Sequence, residues 1–183
     1  GGDFDGGDEL EKVGNNLNDI RLSKLKRAYY RDELVGQLEN TIYQRENTPI
    51  VLVGAAGVGK HTLLEEVVYR YREQHSGKLP SDELLTRLWL IEPTRIIAGM
   101  SIVGMWQRRF ESILQHLLKR LPAAYSHYKQ GFTDKTDKIL VDNPIALLRI
   151  GKSAQNSMTL SDVLKPYLEK RQLQMIMIAT PEE

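Results

Sequence analysis

A run of apolar, mostly β-branched residues, Ile50-Val51-Leu52-Val53, leads straight into Gly54-Ala55-Ala56-Gly57-Val58-Gly59-Lys60-His61-Thr62. The run reads as a short strand buried on both faces. The glycine-rich segment after it fits the Walker A pattern, G-x-x-x-x-G-K-[ST], at every position but the last. Glycines let the backbone curl so that successive N–H groups line a concave anion nest. The next helix points its positive end at the same anion. Lys60 is then placed to reach the outer phosphates of a nucleotide, and Gly54, Ala55, Ala56, Gly57, Val58, Gly59, Lys60, His61 and Thr62 form the candidate binding segment. The departure is at the hydroxyl position, where a magnesium ligand would stand and His61 does. Thr62 lies about 100° further round a helix and cannot take over that role. The plainer alternative is a glycine-rich strand-to-helix turn that binds nothing.

His61 has two readings of its own. It covers the helix start as a solvated side chain, or it ligates a metal. No second ligand lies at helical spacing, which favours the first. His75, His116 and His127 are scattered and outline no site.

The 183 residues suit one domain with a substantial core, and a hydrophobic share of 41% with 27% charged residues is that of an ordinary globular chain. A formal charge of +1 supplies no global field for nucleic acid or membrane. There is no cysteine, hence no disulfide and no thiolate zinc site, which fits a cytoplasmic setting. No apolar run approaches membrane-spanning length. The chain does not begin with Met and reads as a processed chain or a segment of a longer one.

Residues 1–25 read as a flexible tail and interdomain linker, glycine-rich and acidic at first and then interrupted by Gly14-Asn15-Asn16, with a short helix as the other reading of Leu10 to Asp19. Residues 26–183 carry the domain. The stretch Arg21 to Arg31 is basic with Tyr29 and Tyr30, a composition that single-stranded nucleic acid could use. Its shortness and isolation favour a connector whose aromatic rings lie on the domain.

Helices are expected over 32–45, with Leu34, Leu38 and Ile42 on one face, over 60–75, with Leu63, Leu64, Val67, Val68 and Tyr71, from about Met105 onward, and over 159–171. Leu88-Trp89-Leu90-Ile91, Ile139-Leu140-Val141-Asp142 and Met175-Ile176-Met177-Ile178-Ala179 are further strands. Pro122 to Lys138 reads as a long polar loop. Strands alternating with helices imply an α/β fold whose parallel sheet is flanked by helices on both faces. Ligands of such sheets bind at the carboxyl ends of the strands, where Gly54 to Lys60, Asp142 and Thr180 would gather.

Asp142, ending an apolar strand downstream of the glycine turn, has the Walker B arrangement and is the candidate metal ligand. The next position commonly holds a glutamate that polarises the attacking water. Here it is Asn143, whose amide can hold a water but cannot accept its proton.

Taken in order, these segments resemble the first nucleotide-binding module of Clp-type AAA+ proteins, the ClpA, ClpB and ClpC group. Leu10-Glu11-Lys12-Val13-Gly14-Asn15-Asn16-Leu17 is similar to the segment that precedes the family's first ring, and Arg31-Asp32-Glu33 to the start of its first helix. Ile96-Ile97-Ala98-Gly99 with Gly104 resembles the first pore loop, and Gly151-Lys152 with Met158 the second. Val163-Leu164-Lys165-Pro166 looks like its L-K-P helix and Ala179-Thr180 like its sensor-1 strand.

The resemblance implies a three-layer P-loop NTPase large subdomain, binding ATP or ADP with Mg²⁺, in a hexameric ring that threads protein substrates. A protease or adaptor partner is possible in such a ring. Asp142, Asn143 and Thr180 would be the catalytic positions, with Thr180 sensing the γ-phosphate. The chain departs from the family at His61 and Asn143, at Ile102 for the pore-loop aromatic, and at Tyr30 for a glycine near the adenine. Turnover is therefore expected to be negligible, which leaves a pseudo-ATPase scaffold as the alternative and a nucleic-acid-handling relative as a weaker one. The resemblance places the arginine finger and helical lid beyond these residues. Restoring Thr at 61 and Glu at 143 is then not expected to rescue turnover in this chain.

Overall fold

A computed structural model describes residues 4–43, 46–53, 59–78, 85–102, 104–119 and 137–179. The candidate residues Gly54, Ala55, Ala56, Gly57, Val58 and Thr180, and positions 122–136 of the long polar loop, lie outside the described residues. The chain begins with α1 (Gly6–Val13) and β1 (Gly14–Asn16), then runs through α2 (Asp32–Ile42), β2 (Ile50–Val53) and α3 (Lys60–His75). It continues with β3 (Leu88–Ile91), α4 (Pro93–Ile97), α5 (Met105–Leu118), β4 (Lys138–Val141), α6 (Ile145–Arg149), α7 (Leu160–Glu169) and β5 (Gln174–Ala179).

The five strands form one sheet in the order β1-β3-β4-β5-β2. β3, β4, β5 and β2 pair in parallel, while β1 closes the far edge antiparallel to β3. Alternation along the strands divides the core between the two faces. Ile139, Val141 and Met175 join Phe110, Ile113 and Leu114 of α5 and Leu160 and Leu164 of α7. Leu140, Ile176 and Ile178 join Leu64, Val67 and Val68 of α3 and Val35 and Ile42 of α2. The result is the expected sheet between two helical layers.

Three expectations need correction. Residues 6–25 are not a tail and linker. Asp5 accepts the N–H of Asp8 at 2.9 Å as the N-cap of α1, whose Leu10 and Val13 are fully buried in the core. Arg109 of α5 donates to Glu9 at 2.7 Å and to the carbonyls of Arg95 and Ile96, binding α1 to α4 and α5. The apolar content of α1 is low, but two residues one turn apart suffice to seat it.

In α2 the buried face is Val35, Leu38 and Ile42, while Leu34 stands 36% exposed. Spacings of three and four track a helical stripe more closely than a strict four, which drifts round the axis. Finally, β2 is not buried on both faces. It is an edge strand: Ile50 and Leu52 pack on the α2–α3 side, and Val51 and Val53 are 52% and 63% exposed on the other.

Candidate nucleotide-binding site

The turn into α3 ends on Gly59, whose φ of +82° is the left-handed region that glycine enters without a Cβ penalty. The N–H of Leu63 closes the first turn on the Gly59 carbonyl at 2.9 Å. Lys60, His61 and Thr62 therefore occupy that first turn, all half-buried. Their backbone N–H groups belong to the end of the helix that has no internal acceptors, and it carries the positive end of the dipole.

β4 delivers Asp142 one residue past its last strand position, beside the same end of the sheet. His61 Nε2 lies 3.0 Å from Asp142 Oδ2, a contact between residues 81 apart in sequence. A carboxylate only accepts, so the imidazole N–H is the donor. With side chains 42% and 56% exposed, the pair contributes at most about 1 kcal/mol to stability. It is too weak to staple the fold, so its significance is chemical. His61 remains part-exposed at the helix start, as expected, but its imidazole is also directed at the Asp142 carboxylate. Asn143 is exposed, and its backbone carbonyl accepts the N–H of Ala146 at 3.1 Å.

The residues present do not fit magnesium well. That ion demands near-octahedral oxygen ligation. The hydroxyl position offers a nitrogen, and one oxygen of Asp142 is already engaged. Among the described residues no group of three or more histidines and carboxylates could hold a metal. Nor, among them, is any helix long and apolar enough to cross a membrane.

Sequence reasoning did not foresee a cavity of about 640 Å³ between β1, the turn after it and the first turns of α3, lined by Glu11, Asn16, Asp19, His61, Glu65 and Trp89 among others. Its carboxylates Glu11, Asp19 and Glu65 disfavour a polyphosphate, which leaves the phosphates to the Lys60 end. No local pattern signals this cavity, because its walls come from four separate segments of the chain, from Glu11 to Leu140.

No protein-family model matches the chain. Curated relatives do. The ATP-dependent Clp protease ATP-binding subunit ClpE of Bacillus subtilis is 25% identical over 175 residues, covering 95% of this chain and 22% of the relative. Chaperone protein ClpB of Aquifex aeolicus is 23% identical over 175 residues, covering 95% of this chain and 16% of the relative. Among solved structures, the Saccharomyces cerevisiae Hsp104–ADP complex superimposes with a TM-score of 0.64 at 22% identity, over 93% of this chain and 26% of that one. The closed state of Hsp104 with ATPγS and FITC-casein gives 0.66 at 20% identity, over 95% and 27%. The chain is similar to Clp-type AAA+ proteins over most of its length and shares their fold.

It spans about a quarter or less of the length of each of these relatives. Within the Clp-type frame, the two stretches that resemble pore loops come together. Met100, Ile102, Trp106, Gly151, Lys152 and Asn156 line a common cavity of about 240 Å³, and Ile102 is 61% exposed at its rim. Tyr30, where the sequence resemblance expects a glycine, has a φ of +62°, in the left-handed region that glycine enters most readily.

The tyrosines of the basic stretch do not lie on the domain as expected. Tyr29 is 72% and Tyr30 99% exposed, whereas Arg27 is turned inward onto Glu66 and stacks over Tyr69 at 3.7 Å. One of the cations flanking those rings is thus committed to an internal contact, which weakens the nucleic-acid reading.

Proposed function

We propose that this chain is the large subdomain of a first nucleotide-binding module, taking ATP or ADP on the turn from Gly54 to Thr62 beside Asp142. In that reading it works within a cytoplasmic hexameric ring that acts on protein substrates, with a protease or adaptor as a further partner. The observation that carries the reading is the contact of His61 with Asp142, which brings the helix after the glycine turn to the Walker B strand end. Support comes also from the relatives: ClpE is named an ATP-binding subunit, and Hsp104 has been solved with ADP and with ATPγS and casein.

Hydrolysis is impaired in this reading, because the position of the magnesium hydroxyl holds His61 and that of the water-polarising carboxylate holds Asn143. The same two residues favour a second reading, a pseudo-ATPase scaffold kept for ring assembly.

Calorimetric titration of ADP and ATP separates the two. Binding is expected, and Lys60→Ala should weaken it at least tenfold, since a hydrogen bond to a charged group contributes about 1.5–3 kcal/mol. An absence of heat at millimolar nucleotide would leave the scaffold reading standing. Steady-state ATP turnover is expected well below about 1 s⁻¹, the lower end of ordinary enzyme rates. Turnover at or above that rate would show the two replacements to be tolerated.

A further inference from the structure

We infer that this site takes its nucleotide without magnesium, the His61–Asp142 pair standing where the ion would otherwise be held. The inference rests on the nucleotide reading above and concerns what accompanies the nucleotide.

Three features of the donor set lead to it. The residue after Lys60 supplies an imidazole nitrogen in place of a hydroxyl oxygen. Nitrogen suits zinc, copper or nickel, while magnesium requires oxygen. That imidazole donates to Asp142 Oδ2 at 3.0 Å, so the carboxylate expected to orient the ion's water shell is turned to a protein donor. The hydroxyl of the next residue, Thr62, lies about 100° round α3 and cannot substitute.

The exposure of the pair argues against a purely blocking role. At 42% and 56% exposed, His61 and Asp142 can separate at little cost. Separation frees the carboxylate but still provides no second oxygen, so an incoming magnesium ion would keep most of its waters and gain little from the protein. The paired state, in contrast, gives a bound polyphosphate something useful. The N–H donated to Oδ2 offsets part of the negative charge that Asp142 would turn on the phosphates, which is part of what a bridging cation does at such sites. Lys60 and the N-terminal end of α3 supply the remaining positive potential.

The test is ADP titration of the whole chain with excess magnesium and with a chelator, repeated for His61→Thr. Apparent affinity of the unaltered chain is expected to fall in excess magnesium, because the ion withdraws ADP from a site that takes it bare, while His61→Thr should gain about tenfold or more when magnesium is present. Manganese is the second probe. Its electron paramagnetic resonance signal, in a mixture with ADP, should sharpen toward that of the free ion when the unaltered chain is added and should broaden when His61→Thr is added. Tighter binding of the unaltered chain with magnesium, by tenfold or more, would overturn the inference. The same fall in His61→Thr would overturn the assignment to His61. No nucleotide binding by either chain in either condition would instead overturn the nucleotide reading, and this inference with it.

Discussion

Glu66→Gln is expected to lower the stability of the chain by about 3 kcal/mol at neutral pH. Glu66 sits inside α3 with its side chain fully shielded from solvent. Arg27 donates to it through Nε at 2.6 Å and through a terminal nitrogen at 3.2 Å, Arg70 through Nε at 2.7 Å, and the N–H of Ala28 at 3.1 Å. Arg70 also reaches Asp32 at 2.6 Å, so one carboxylate fastens residues 27 and 28 and the start of α2 to α3.

Burial alone would push this carboxyl up. The guanidinium groups of Arg27 and Arg70 and the Ala28 N–H more than reverse it and hold the carboxyl at about 2, against its ordinary 4.5. A group depressed by that much contributes about 3 kcal/mol. The removal cost stays near the low end of the range for buried pairs because the arginines, 38% and 31% exposed, can turn to water.

Proton counting gives the sign. Between about 2 and 4.5 the unfolded chain binds a proton that the folded chain does not, so stability falls as the pH falls. The contribution is complete above 4.5 and lost through about 2. Urea midpoints measured from pH 7 downward should show the unaltered chain and Glu66→Gln far apart at neutral pH and converging in acid. A gap that stays constant below pH 4.5 would mean that Glu66 acts through shape alone.

Gly151→Ala is expected to cost about 2–4 kcal/mol, from two independent sources. The backbone there has a φ of +107°, a region that side chains enter only under strain. A Cβ built at this position would also stand 2.5 Å from Trp106 Cζ2 and 2.8 Å from the carbonyl oxygen of Met158. Something must move, and what moves borders the cavity shared by the two stretches that resemble pore loops. Trp106→Phe removes the ring atoms in question, so the double variant should recover part of the loss as measured by a double-mutant cycle. An unchanged melting temperature in Gly151→Ala would contradict the packing around Trp106. Simple additivity with Trp106→Phe would assign the cost to backbone strain and the Met158 carbonyl instead.

The sequence reading located the strand at 50–53, the helix over 60–75 and the strand leading to Asp142, and the structure has all three. These are local matters. Four consecutive apolar residues, a glycine that must take positive φ before a lysine, and an apolar face at helical spacing are determined within a few residues of one another. The α/β order of the chain could be read for the same reason.

The sequence did not disclose where neighbours from distant segments would lie. It ranked Leu34 above Val35, because a four-residue repeat alone does not say which stripe the sheet will cover. It passed over Glu66, since a carboxylate amid Leu64, Val67 and Val68 reads as an outward residue unless two arginines from other turns are known to converge on it. It left Leu10 and Val13 as linker or short helix, with no sign that each is buried against residues some 100 positions away.

By itself, the sequence determined that a strand, a glycine turn and a helix would present Lys60 and His61 at a helix end, with an aspartate closing another strand. Only the tertiary structure decided that the imidazole meets that aspartate. β4 lies two strands from β2 in the sheet, with β5 between them, and it is this spacing, not any pattern along the chain, that sets the distance between His61 and Asp142.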